Sequence, residues 1–315
     1  MRRSRAPLVL VRARTSLGSV TLGSRGTARL LGCSLLLVAL AACSADKTDS
    51  TAGGQEDEAP STAASAPSSA AASPSAAPWK AMDGALSRCG PVPESVASTP
   101  FDYEVLRDPA VGAIPSVSVG RGRTVVVLLH QTDGNGLCGW LPFARDLATL
   151  PGITALAIDL CNYGEASCKK VDAGGYTDAD QTDPVELAVR HAREQLHARR
   201  VVVVGASMGG SVAAMSAATL TGIDAAVDLS GPVTWPGMEV VDRGRAIDVP
   251  FLASTATTEG EAEVRGMREL VSNSPDGSTF LPAESGHGYA LLNDADSDPL
   301  PMSEQVRDWI VALSG

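Results

Sequence analysis

The sequence is poor in several things at once. Of its 315 residues only 4% are aromatic, and residues 44–78 contain no aromatic side chain at all. That stretch cannot bury enough apolar surface to offset the entropy of ordering it. The chain has four histidines, no Cys-x-x-Cys pair and no His-rich cluster, so no metal and no other cofactor is expected. No apolar run reaches the roughly 20 residues of a transmembrane helix. No internal repeat is present, which argues against solenoids and propellers. Positive charge is scarce beyond the first 42 residues, which hold seven arginines and no acid. The remainder carries 18 basic and 36 acidic side chains, a net charge of −18. Such a balance argues against nucleic acid as a partner, and against electrostatic attraction to anionic lipid.

What is present falls into three parts. Residues 1–42 read as a signal peptide: arginines precede an apolar run from Leu30 to Ala42 that is too short for a membrane span. The run ends Leu40-Ala41-Ala42-Cys43, which resembles the bacterial lipobox. The resemblance implies cleavage before Cys43, lipid attachment to its thiol, and an exported protein anchored on the extracytoplasmic side of the cell membrane. The alternative is a soluble secreted protein in which Cys43 is incidental. Residues 43–84, rich in Ala, Ser and Pro, read as a disordered tether. Residues 85–315 are long enough for one α/β domain. That domain has four cysteines, Cys89, Cys138, Cys161 and Cys168. An even count in an exported domain suggests two disulfides, with three possible connectivities. Cys161–Cys168 as a loop staple and Cys89–Cys138 as a tie from the N-terminal arm are favoured over free thiols.

Apolar runs and amphipathic patterns alternate along the domain. Phe101 to Val119, broken by Pro109 and Pro115, reads as an antiparallel edge hairpin. Strands are expected at Arg123 to His130, Ile153 to Asp159, Ile223 to Leu229, Pro250 to Thr255 and Ser278 to Pro282. Helices are expected at Trp140 to Leu150, Asp183 to Leu196, Glu261 to Val271 and Pro301 to Leu313. Strands alternating with helices predict a mainly parallel, doubly wound sheet covered on both faces. Functional loops then lie at the carboxyl ends of its strands.

The most informative stretch is Arg200 to Ser211. A β-branched run, Val201 to Val204, stops at Gly205-Ala206-Ser207-Met208-Gly209, and an Ala-rich helical pattern starts at once. Small residues on both sides of Ser207 permit a tight strand-to-helix turn, with the first N–H groups of the helix aimed at the serine oxygen. This Gly-x-Ser-x-Gly elbow resembles that of the α/β-hydrolase family, and the resemblance extends over roughly residues 100–315. It implies Ser207 as nucleophile and, in the glycine-flanked loop Gly286-His287-Gly288 before the last helix, His287 as general base. His191 and His197, six residues apart on a helix, read as solvated surface residues. The segment His130-Gln131 resembles the His-Gln loop of a set of exported bacterial hydrolases. By that resemblance Gln131 and Met208 donate backbone N–H groups to an oxyanion, and His130 buttresses the loop. Asp159 to Ser167 occupies the place of a structural turn in the family.

The family usually places an acid after its seventh strand, where this chain has a threonine-rich segment. Glu259 is the nearest carboxylate and is expected to complete the triad, with Asp228 as the second choice. About twenty residues separate Ser230 from Val249, too few for a large cap, so the cap is short or absent. Trp235, Pro236 and Met238 are candidates for one wall of an acyl pocket. The expected function is a serine hydrolase cleaving carboxylic esters of a small-molecule substrate through an acyl-enzyme. The alternative is a non-catalytic surface lipoprotein that uses the same fold for binding.

Overall fold

The computed structural model describes residues 78–240 and 246–313. The signal peptide, Cys43 and most of the tether lie outside the described residues. The described residues fall within one compact unit. It opens with an antiparallel pair, β1 (Trp79–Ala81) and β2 (Pro91–Pro93), followed by the short helix α1 (Glu94–Ala97). β1 therefore begins ahead of the boundary at residue 85 read from composition. The hairpin β3 (Asp102–Asp108) and β4 (Gly112–Gly120) comes next. Then follow β5 (Thr124–Leu129), α2 (Leu141–Ala148), β6 (Ile153–Ile158), β7 (Ser167–Cys168), α3 (Lys169–Asp172) and α4 (Thr182–Glu194). The second half runs β8 (Arg200–Ala206), α5 (Met208–Thr219), β9 (Ala225–Leu229), β10 (Phe251–Ala256), α6 (Glu261–Ser272), β11 (Thr279–Ala283) and α7 (Pro301–Leu313).

The main sheet has the order β11-β10-β9-β8-β5-β6-β4-β3, with β7 paired to β4. All neighbours from β6 across to β11 are parallel, and the β3, β4 and β7 pairings are antiparallel. Within the hairpin only β3 is an edge strand; β4 is internal and pairs with β6 as well. Pro115 is tolerated there because it falls one residue beyond the last paired position, Ser116 opposite Ile158.

The apolar runs of β5 and β8 alternate between two cores. Val125, Val127, Val201 and Val203 pack with Leu187 and Val189 of α4 and Val212 of α5. Val126, Leu128, Val202 and Val204 pack with Phe143 and Leu147 of α2 and with Val306 and Ile310 of α7. These strand residues are fully buried, and each side chain so buried contributes about 1.5–3 kcal/mol before entropy is counted. α5 is buried on every side from Met208 to Ala217, which fixes its first turn against the sheet. From β5 the chain winds to β6 on one side and later returns to β8 on the other. The order thus reverses between β5 and β8, and a crevice opens at their carboxyl ends.

Two disulfides, Cys89–Cys138 and Cys161–Cys168, staple this end of the sheet. They are the favoured pairing, and they fit an extracytoplasmic compartment. Among the described residues no helix is long and apolar enough to cross a membrane.

Candidate active site

Ser207 stands between β8 and α5 with φ 50° and ψ −121°, a backbone conformation that L-residues rarely adopt. The turn is pinned on both sides. Ser207 N–H donates to Leu229 O at 2.8 Å, and the N–H groups of Gly210 and Ser211 donate to Ser207 O. Both flanking glycines are required by close approach. A Cβ on Gly205 would lie 1.8 Å from Gly209 O, and one on Gly209 would lie 2.2 Å from Leu129 O. The helix start is therefore pressed against the end of β5. The N–H of Met208, first residue of α5, has no hydrogen-bond partner among the described residues, so it is free to meet negative charge at the helix N-terminus.

His287 lies in the loop after β11, and the next residue reaches the elbow: a Cβ on Gly288 would sit 3.4 Å from Ala206 Cβ. The imidazole is half-exposed. Its Nδ1 is 3.1 Å from Glu259 Oε2, which leaves Nε2 as the nitrogen available to a nucleophile or leaving group. Glu259 ends the single helical turn after β10. Its other oxygen, Oε1, accepts from the Ser230 hydroxyl at 2.6 Å. Ser230 is itself buried with φ 60° just past β9. Sequence reading passed over Ser230, and its only signal was a position directly after a strand end.

The loop after β5 is held by His130, which is fully buried. Its Nε2 accepts from Leu160 N–H at 2.9 Å, so its Nδ1 carries the proton and donates to Gln131 O at 2.7 Å. Burial lowers its pKa, keeping the ring neutral and locked as a brace. Gln131 is bound to the His287 loop at both ends. Its backbone N–H donates to the Tyr289 hydroxyl at 3.1 Å, and its Oε1 accepts from Tyr289 N–H at 3.4 Å. The N–H expected to serve an oxyanion thus points at a phenol. Burial pushes the Tyr289 pKa well above its ordinary value, and the ring packs edge-on to Trp140 with centroids 5.0 Å apart. Tyr289 was not singled out from the sequence, although it lies two residues from His287. Asp159 ties the surrounding loops together: it accepts from Leu137 N–H, Glu165 N–H and the Arg88 guanidinium.

Asp228 is placed elsewhere. Its carboxylate is buried at the end of β9, accepts from Gly231 N–H at 2.7 Å, and packs against Gly210. Burial raises its pKa to about 7, with Glu263 and Glu259 adding to the effect. No hydrogen bond joins it to His287 among the described residues. Asp228 instead lines a cavity of about 120 Å³ with Ser211, Val233, Met238 and Leu270. Met238 therefore faces this cavity, while Trp235 donates through its indole N–H to Asp178 at 3.0 Å. The described part of the β9–β10 connection contains neither helix nor strand. Among the described residues no group of three His, Cys, Asp or Glu side chains forms a metal site.

A mainly parallel sheet wound on both faces, with a strained serine at the turn after its central strand, defines an α/β-hydrolase fold. Residues 126–313 match the model of the alpha/beta hydrolase family, and the chain belongs to that family. Among solved structures it is similar to an esterase from Pyrococcus furiosus, with 15% identity and a TM-score of 0.56 over 75% of this chain and 98% of the other. A Pseudomonas aeruginosa protein assigned as an epoxide hydrolase aligns at 14% identity and TM-score 0.50, covering 68% and 95% of the two chains. A thioesterase domain from the curacin biosynthetic pathway aligns at 12% identity and TM-score 0.50, covering 67% and 99%. A comparison with curated proteins gave no match.

Proposed function

We propose that the protein is a serine hydrolase of carboxylic esters, exported and held to the cell membrane by lipid on Cys43. The observation that carries the catalytic reading is the combination of Ser207 at a strained elbow with the His287–Glu259 pair on the neighbouring loops. In this reading Ser207 Oγ attacks the ester carbonyl and His287 Nε2 takes its proton. Glu259 holds the ring through Nδ1 and stabilises the imidazolium. The alcohol leaves with the proton from His287, and water then repeats the sequence on the acyl-enzyme. Met208 N–H meets the oxyanion. Gln131 N–H joins it by exchanging the Tyr289 hydroxyl for the developing charge. The fold alone does not choose among esters, thioesters and amides.

A serine-reactive fluorophosphonate should label the folded protein, and Ser207→Ala should lose the label together with ester hydrolysis. The engagement of Gln131 N–H by Tyr289 favours, as a second reading, a binding protein that has kept the fold. Absence of labelling in the folded wild type would select that reading.

A further inference from the structure

The amino ends of the central strands carry a feature unrelated to Ser207. The turn before β5 and the turn before β8 bring Arg121, Arg123, Arg199 and Arg200 around one open groove of about 580 Å³, floored by Pro151 and Gly152. Three of the four arginines are exposed or nearly so and Arg200 is half-buried. Arg123 Nε donates to His197 O, and none of the four makes an ion pair among the described residues. This contrasts with Arg88, Arg190 and Arg193, each of which meets a carboxylate. In a protein with twice as many acids as bases beyond its leader, four arginines lining one groove without an ion-pair partner make a local positive patch that complements an anion.

We infer that this groove seats the phosphates of anionic phospholipid headgroups, docking the amino ends of the strands on the membrane and turning Ser207 toward the aqueous side. Guanidinium groups match phosphate oxygens bidentately. The groove draws its arginines from two separate turns at one end of the domain, as a surface facing a bilayer requires. The net negative charge does not forbid this. Charges farther than about 8 Å are screened at physiological salt, and the carboxylate nearest the groove, Asp224, which accepts from Val201 N–H beside Arg200, is already engaged by the Arg193 guanidinium. Asp102 lines the adjoining groove with Arg121 and Arg145, while Asp248 and Asp276 lie before β10 and β11, under the other half of the sheet. The proposed anchor at Cys43 would raise the local concentration of lipid; the docking itself does not depend on it or on the hydrolase chemistry.

The test uses residues 43–315 carrying Cys43→Ser, so that neither a lipid nor the seven arginines of the leader contribute. Its sedimentation with vesicles of about 30% phosphatidylglycerol in phosphatidylcholine is compared with pure phosphatidylcholine, which measures binding that does not depend on anionic headgroups. Binding to the anionic vesicles should fall at least about tenfold in a protein carrying Arg123→Gln, Arg199→Gln and Arg200→Gln. It should also weaken as salt rises from about 0.05 to about 0.15 M, and be restored only in part when the same three positions become Lys, which keeps the charge and loses the bidentate fork. Fluorophosphonate labelling, which reads the chemistry at Ser207 separately, should be unchanged in every variant. Equal sedimentation of wild type and the Gln variant would overturn the inference. So would saturable binding of inorganic phosphate in the groove by a protein that ignores the anionic vesicles, because the ligand would then be a free anion.

Discussion

At their carboxyl ends the parallel strands run into carboxylates and strained backbone; at their amino ends the central pair, β5 and β8, begin from short turns and arginines. Asp159 follows β6, Asp228 is the penultimate residue of β9, Glu259 follows β10, Glu284 follows β11, and Ser207 follows β8. Three of the five described non-glycine residues with positive φ, Asn162, Ser207 and Ser230, stand just past β6, β8 and β9. Each such residue costs on the order of 1–3 kcal/mol and persists only where its surroundings over-determine it. The amino end carries one, His197, in the turn before β8. The stability spent on backbone geometry is thus concentrated where the candidate nucleophile is held. The other end keeps its freedom for surface charge.

The comparison breaks most visibly at Glu259. If the carboxyl end is the catalytic end, Glu259→Gln should lower kcat about 10³-fold with little change in KM, because an amide can neither fix the Nδ1–H tautomer nor stabilise the imidazolium. Replacing Arg123 or Arg200 with Gln should leave kcat within a factor of about two. Steady-state kinetics on a short-chain ester reads both. Equal losses at the two ends would erase the distinction.

Tyr289 sharpens it by a smaller amount. Its hydroxyl accepts the Gln131 N–H, so Tyr289→Phe frees that donor for the oxyanion. One neutral hydrogen bond is worth about 1 kcal/mol, so kcat should rise about fivefold. The melting temperature should fall, since a partly buried N–H loses its partner. A fall in kcat would instead make the hydroxyl itself the second donor.

The sequence signals explain which parts could be read. The valine run into Gly205-Ala206-Ser207 is a local pattern, because the elbow is built from adjacent residues, and the order of strands and helices follows from periodicity. The pairing of His287 with Glu259 crosses 28 residues, yet the resemblance to the α/β-hydrolases, which fixes the order of the loops that carry base and acid, was enough to nominate both. The contacts that tune the site were not legible. Ser230 to Glu259, Gln131 to Tyr289 and Arg88 to Asp159 join separate loops, and a single sequence carries no pairing information for such side chains. The expected edge hairpin is there, with β3 on the edge and β4 against β6; only the register shows that Pro115 lies one residue past the last β4–β6 pair.

Asp228 gives the finest test, since it belongs to the carboxyl end but is separated from His287. Its folded pKa of about 7 lies above the ordinary value of 3.8. Between those two values the folded protein holds a proton that the unfolded chain has released. The stability associated with the neutral carboxyl is therefore complete below pH 3.8 and declines as pH rises through about 7. Asn at this position stays neutral, and its carbonyl oxygen can still accept from Gly231 N–H. Asp228→Asn should then melt close to wild type at about pH 4 and higher by on the order of 5 °C at about pH 8. Ester hydrolysis at the higher pH should be nearly unchanged, as expected for a group that lines a separate cavity. Parallel melting curves for the two proteins across that range would mean that Asp228 ionises without cost. A loss of kcat as large as that of Glu259→Gln would return Asp228 to the catalytic machinery.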